Sequence, residues 1–368
     1  MVKVGVLTSS RADYGIYKSL LSALHVSEDF ELITIVFGNH FLKEMSNSLQ
    51  EIKNDSFGSI NYVGSFYKTN SPEEVVELYG KIIQFFSIYW KETSYDIIFA
   101  IGDRFEMAAA VQATIPFGIK IAHLHGGEIT LGSIDNIYRD QISIASSIHF
   151  TATETYSNRL KNLLNQNQKI FNVGALSLVK LPKNNVQKWT EVREKFSIPN
   201  KKFILITFHP ETSTISTNKK NIIALKGILK KLCEEFHLLI TGTNSDQNHL
   251  PYVQLFTSLK QDYLNDITLV SSLGRENYFS ALYNCSFVMG NSSSGIIEAA
   301  SFEKFNLNLG NRQKGRLMSN NSVTLPFCMD KISKQIEYWR KLNFKYKGAN
   351  IYAGSNTLQS ILNQLNNC

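Results

Sequence analysis

Cysteine is scarce in this chain. Four thiols, Cys233, Cys285, Cys328 and Cys368, are scattered through 368 residues with no CxxC spacing. Neither a cysteine-built zinc site nor a disulfide framework is indicated. Long apolar runs are also missing. The most hydrophobic stretches, such as Ile82-Ile83-Gln84-Phe85-Phe86-Ser87-Ile88-Tyr89-Trp90, fall well short of the roughly 20 residues a membrane helix needs. Met1-Val2-Lys3-Val4-Gly5-Val6-Leu7 runs directly into a strand pattern without a signal-peptide layout, so a cytoplasmic protein with no membrane partner is expected. No GxGxxG follows the first strand, which disfavours a nicotinamide or flavin, and the absence of GxxxxGK[ST] removes the P-loop class.

What the chain does contain is the composition of a globular protein: 43% hydrophobic and 19% charged residues exclude a disordered chain. Its length makes two domains the default. The net charge of +7 is concentrated around residues 180–231, including Lys219-Lys220 and Lys230-Lys231. No nucleic-acid-binding motif accompanies it, so a solvated basic face is expected and nucleic acid is not. A diphosphate ligand fits the same bias.

Short apolar runs alternate with helical patterns from end to end. Val2–Leu7, Leu32–Phe37, Ile97–Ile101, Lys120–His123, Ile148–Ala152, Phe203–Phe208, His237–Thr241, Ile267–Val270, Phe287–Met289 and Phe305–Leu309 read as strands. This alternation predicts an α/β class with parallel sheets and crossover helices. Two parts of the chain look alike: Ile97–Asp103 and Phe287–Asn291 each end an apolar strand in glycine plus a polar residue and open a helix. We therefore expect two doubly wound, Rossmann-type domains, residues 1–177 and 178–353, joined near Leu178–Asn185. A last helix, about 354–368, is expected to return to the first domain. Ligands of such sheets collect beyond the carboxyl ends of the strands, and two such domains predict a site in the cleft between them.

The polar groups sit at those strand ends. Thr8-Ser9-Ser10-Arg11 offers open backbone N–H groups and a guanidinium for a phosphate, or an ordinary helix cap. Asp103, in Gly102-Asp103-Arg104-Phe105-Glu106, reads as a helix cap or as a base. In Ala122-His123-Leu124-His125-Gly126-Gly127-Glu128 the two histidines alternate on a strand, an arrangement that can ligate metal, yet further ligands at a usual spacing are missing and no metal is expected. The glycine pair permits a tight turn or close approach to a ligand. Asp135 and Arg139, four apart on a helix, form a surface ion pair or a catalytic pair. His209 follows Phe208 at another strand end. Asn291-Ser292-Ser293-Ser294-Gly295, with Glu298 further on, puts three hydroxyls at a helix N-terminus, and Arg312 lies after the next strand.

Each motif alone is ambiguous, but their order is specific. SRADYG, GDRFE, HLHGGE, IDNIYR, FHP, GNSSSG with its following glutamate, and GNRQKGR resemble the hydrolysing UDP-N-acetylglucosamine 2-epimerases over nearly the whole chain. The resemblance implies a GT-B-like fold and release of UDP and N-acetylmannosamine, or a close analogue, for sialic-acid-type sugars. It implies no cofactor, a UDP-sugar as the partner molecule, and a homodimer. It assigns Asp103, Asp135 and His209 to catalysis, Arg139 beside the second carboxylate, and Arg11, Ser292, Ser293, Ser294, Gly295, Glu298 and Arg312 to binding UDP. Relatives with HIEGGE carry a catalytic glutamate where this chain has His125, whereas Glu128 is common to both branches. The acid–base role is thus open between His125 and Glu128.

The implied reaction removes the proton at carbon 2 as UDP leaves carbon 1, then hydrates the resulting glycal. A base must face the sugar, and cations or N–H dipoles must meet the departing diphosphate. UDP-N,N′-diacetylbacillosamine is the rival substrate. A non-hydrolysing epimerase, a GT-B glycosyltransferase and a UDP-sugar-binding regulator without turnover are the competing readings.

Overall fold

The computed structural model describes residues 1–42, 46–64, 66–69, 71–164, 169–181, 186–211, 215–243 and 249–365. Part of the expected linker, residues 182–185, and the last three residues of the expected terminal helix lie outside them. The chain divides into two units. The first comprises Met1–Glu128, Asp135–Lys180 and Tyr352–Cys368, and the second Ile129–Ile134 and Leu181–Ile351.

In the first unit, β1 (Val2–Thr8), β2 (Phe30–Val36), β3 (Ser59–Tyr62), β4 (Ile97–Ile101), β5 (Ile121–Leu124), β6 (Ile148–Thr151) and β7 (Lys169–Asn172) form one sheet. Its order is β3-β2-β1-β4-β5-β6-β7, and every pair is parallel. In the second unit, β8 (Phe203–Thr207), β9 (His237–Thr241), β10 (Ile267–Val270), β11 (Val288–Gly290), β12 (Asn306–Leu309) and β13 (Ser322–Leu325) run in the order β10-β9-β8-β11-β12-β13, again all parallel.

The central strands β4, β5, β8 and β9 are buried along their whole length. Burial on both faces is what continuous Val, Ile and Leu runs require of a parallel sheet covered by helices. The last helix, Thr357–Leu365, buries Ile361 and Leu365 in the core of the first unit. Its entry is tied down by Thr357 Oγ1, which donates to the Val173 carbonyl at 2.5 Å, and by Ala175 N, which donates to the Tyr352 carbonyl at 2.8 Å.

Strand order reverses between β1 and β4 in the first sheet and between β8 and β11 in the second. The chain segments that look alike in sequence are therefore equivalent in topology. At such a switch point neighbouring crossovers leave on opposite sides of the sheet, opening a crevice beyond the carboxyl ends. Thr8-Ser9-Ser10 and Gly102-Asp103 border the first crevice; Phe208-His209 and Asn291-Ser292 border the second.

Candidate active site

The loop after β1 does not hold open N–H groups; of the two readings the sequence leaves open, the helix cap is the one that forms, at Ser10. The Asp13 carboxylate turns back into it and accepts from Ser9 N, Ser9 Oγ and Ser10 N, each at 2.9 Å, from Thr8 Oγ1 at 2.9 Å and from Tyr14 N at 2.7 Å. Ser10 caps helix Arg11–Val26 in a capping box with Asp13. Because Thr8 donates its proton to Asp13, His40 Nε2, 2.9 Å from Thr8 Oγ1, must be the protonated nitrogen. His40 Nδ1 then accepts from Ser48 Oγ at 2.9 Å. Arg11, the first helical residue, is half-buried rather than solvated, and burial lowers its pKa despite the nearby Glu51.

After β4, the cap reading of Asp103 fails. The N-cap of helix Phe105–Gln112 is Arg104. Asp103 instead forms an ion pair with Arg139. Arg139 is buried on helix Asp135–Ala145, and its Nη1 donates to the Glu128 carbonyl at 3.0 Å. A buried guanidinium needs such partners to offset its lost hydration. Asp135 opens the same helix and is half-buried. One arginine thus links the residue after β4 to the loop after β5.

His123 and His125 do not present one face. β5 ends at Leu124, and His125 adopts a left-handed backbone, φ 62°, which breaks the alternation the metal argument rests on. His123 is fully buried, and that burial lowers its pKa to about 3, so it is neutral. Nε2–H donates to the Gly102 carbonyl at 3.0 Å, leaving Nδ1 to accept from Ser143 Oγ at 3.0 Å. His123 is a structural strut under the Asp103 turn. His125 Nδ1 lies 2.7 Å from Glu128 Oε1, while its Nε2, also buried, has no hydrogen-bond partner among the described residues. The close approach at Gly127 (φ 76°) is to protein: a Cβ there would stand 2.5 Å from the Tyr156 carbonyl oxygen. The glycine turn seats the loop on helix Glu154–Leu164.

In the second unit, Asn291 organises the crevice. Its Oδ1 accepts from His209 N at 2.7 Å and its Nδ2 donates to the His209 carbonyl at 2.8 Å. Its own carbonyl accepts from Arg312 Nη1 at 3.2 Å and Gln313 Nε2 at 2.9 Å. Glu211, 2% exposed, accepts from Asn311 N at 2.8 Å and anchors the same loop. Asn291 lies within the GNSSSG motif and Glu211 directly after FHP, and the sequence gives neither a role. The signal that could have found them is polarity at strand ends that bury their flanks.

The serine cluster opens a helix of only five residues, Ser293–Ile297, followed by a 3-10 turn, Ala299–Phe302. This replaces the longer helix expected there, and Glu298 is its C-cap. Ser292 is the N-cap with no side-chain capping bond, and Ser293 is half-buried. Ser294 Oγ donates to Glu298 Oε2 at 2.7 Å and lies 2.6 Å from Tyr278 Oη. Gly295 serves packing: a Cβ would collide with Asn306 Oδ1.

Both sheets are Rossmann-like; hydroxyl and guanidinium groups stand at strand ends of the second, and an imidazole–carboxylate pair and a carboxylate–guanidinium ion pair at strand ends of the first. The chain belongs to the UDP-N-acetylglucosamine 2-epimerase family, whose model matches residues 22–366. It is 32% identical to a UDP-N,N′-diacetylbacillosamine 2-epimerase (hydrolyzing) of Legionella pneumophila, covering 96% of this chain and 93% of that one. It is 28% identical to a GDP/UDP-N,N′-diacetylbacillosamine 2-epimerase (hydrolyzing) of Campylobacter jejuni, over 87% and 83%. The fold is GT-B-like: the structure of the Methanocaldococcus jannaschii UDP-GlcNAc 2-epimerase in complex with UDP-GlcNAc and UDP matches with a TM-score of 0.80 at 18% identity, over 100% of both chains.

Proposed function

We propose that the protein is a hydrolysing UDP-sugar 2-epimerase that converts a UDP-linked 2-acetamido sugar and water into UDP and the free 2-epimeric sugar. The observation that carries this reading is the His125–Glu128 pair, whose buried Nε2 has no hydrogen-bond partner among the described residues, joined through the Glu128 carbonyl to the Arg139 that pairs with Asp103. Two separate proton-transfer groups are what the chemistry asks for. One takes the proton from carbon 2 as the carbon 1–oxygen bond to UDP breaks, giving a glycal. The other returns a proton to the opposite face of carbon 2 as water adds its hydroxyl to carbon 1.

Asp103 and Asp135 supply the carboxylates, and Arg139 holds Asp103 in place. His125 exchanges a proton through Nε2, and Glu128 orients the ring through Nδ1, as a carboxylate orients a general-base histidine. On the second unit, Arg312 and the Ser292–Ser294 hydroxyls are assigned to the diphosphate, Glu298 to the ribose, and His209 to charge developing on the leaving group. Arg11 adds a further cation for the nucleotide.

The names of the relatives at 32% and 28% identity favour UDP-N,N′-diacetylbacillosamine as substrate. UDP-N-acetylglucosamine, giving N-acetylmannosamine, is the second reading, supported by the family's own description. Incubating the protein with each nucleotide sugar and identifying the products by NMR tests both. Free 2-epimeric sugar plus UDP is expected from at least one. A UDP-linked epimer, or no UDP release from either, overturns the reading.

A further inference from the structure

Within the second unit, helix Arg275–Asn284 reaches the serine cluster through Tyr278. Arg275 and Tyr278, three residues apart, share a face of that helix. Tyr278 Oη is 2.6 Å from Ser294 Oγ, and Ser294 Oγ is 2.7 Å from Glu298 Oε2. Ser294 and Glu298 are also joined through the backbone, where Glu298 N donates to the Ser294 carbonyl at 2.9 Å. A hydroxyl has one proton and a carboxylate only accepts, so the Ser294 proton goes to Glu298 and the Tyr278 proton to Ser294. Burial, and then the Glu298 charge, raises the pKa of Tyr278 and keeps that proton in place. Arg275 stands over the Phe279 ring, its Cζ 4.8 Å from the centroid; burial lowers its pKa, and the Glu298 charge offsets that lowering.

We infer that Tyr278 is a positioning residue for ribose recognition, acting through Ser294 on the Glu298 carboxylate. Glu298 stands at the junction of helix Ser293–Ile297 and the 3-10 turn Ala299–Phe302, where a glutamate side chain has several rotamers open to it. Two donated hydrogen bonds in series select one rotamer before a ligand arrives, which removes an ordering cost from binding. The inference rests on the proposed function for the role of Glu298 and narrows it at Ser294. With its single proton on Glu298, that hydroxyl has none for a phosphate oxygen, which leaves the diphosphate to Ser292, Ser293 and Arg312.

Calorimetry with UDP and with 2′,3′-dideoxy-UDP tests it, because only the first carries the hydroxyls a carboxylate can hold. The wild type should prefer UDP by about 10- to 100-fold, the usual worth of a hydrogen bond to a charged group, and Glu298→Ala should lose that preference. Tyr278→Phe and Ser294→Ala should each lower it by about threefold or more, with the Kd for dideoxy-UDP within about twofold of wild type. An unchanged preference in folded Tyr278→Phe, where Glu298→Ala has lost it, overturns the inference. So does equal weakening of both ligands in Ser294→Ala, which returns that hydroxyl to the diphosphate. If Tyr278→Phe does not fold, Ser294→Ala decides alone. A preference that survives Glu298→Ala defeats the role assigned to Glu298 itself, and the inference falls with it.

Discussion

His125 Nδ1 and Glu128 Oε1 are 2.7 Å apart, and both residues are buried. They form one hydrogen-bonded pair. His125→Ala should lower turnover by about 10²–10⁴-fold, the usual worth of a positioned acid or base. Glu128→Gln should cost less, because the amide oxygen can still hold the ring through Nδ1. Turnover of His125→Ala within twofold of wild type would remove the imidazole from the mechanism.

The Asp103–Arg139 ion pair gives variants that should separate binding from turnover. Asp103→Asn and Asp135→Asn keep shape while removing a basic site, so calorimetry should show UDP affinity unchanged and assays a loss of about 10²–10⁴-fold. Arg139→Ala has a different signature. It strands the Asp103 carboxylate and the Glu128 carbonyl, and should cost about 3 kcal/mol in urea unfolding.

Asn291 braces His209 from both sides through its amide. In Asn291→Asp the replaced Nδ2 becomes an oxygen facing the His209 carbonyl. Losing one hydrogen bond and adding that repulsion should destabilise the protein by about 2 kcal/mol. A midpoint of chemical denaturation equal to wild type would show that the brace is dispensable.

Protons added at carbon 2 should come from exchangeable groups. In deuterated water the released sugar is expected to carry deuterium there, read by mass spectrometry. Retention of the original hydrogen excludes elimination and hydration.

Three buried histidines predict acid sensitivity. Burial lowers His123 to about 3, and His149 and His237 to about 4. The folded state therefore refuses protons that the unfolded chain accepts below about 6.5. Stability should be full above that value and fall with pH, most steeply between about 6 and 4. His149→Phe should reduce the slope of unfolding free energy against pH by about one proton in that window. An unchanged slope refutes the assignment.

Sequence patterns located what is buried and missed what is half-exposed. Ile97–Ile101, His237–Thr241 and Ile267–Val270 are strands with the bounds their apolar runs indicate. Ser59–Tyr62, Lys169–Asn172 and Ser322–Leu325 went unread because none of their residues is fully buried and none of the three carries an apolar run, whereas Ile267–Val270, also at a sheet edge, buries three of its four residues. The same physics governs the site. His125 looked like a continuation of β5 because a change in backbone hand leaves no trace in residue type when the residue is not glycine. Asp13 was passed over because three of its five donors are backbone N–H groups, which every sequence has.

Asp13 also closes the loop after β1 to dissolved anions. A carboxylate attached to the chain stays beside its five donors at an effective concentration that a dissolved phosphate cannot match. The donors of the loop after β1 are thus taken by an anion of the chain's own, whereas Ser292, capping the helix after β11, makes no side-chain capping bond. Two halves built to one plan are made unequal by a single side chain.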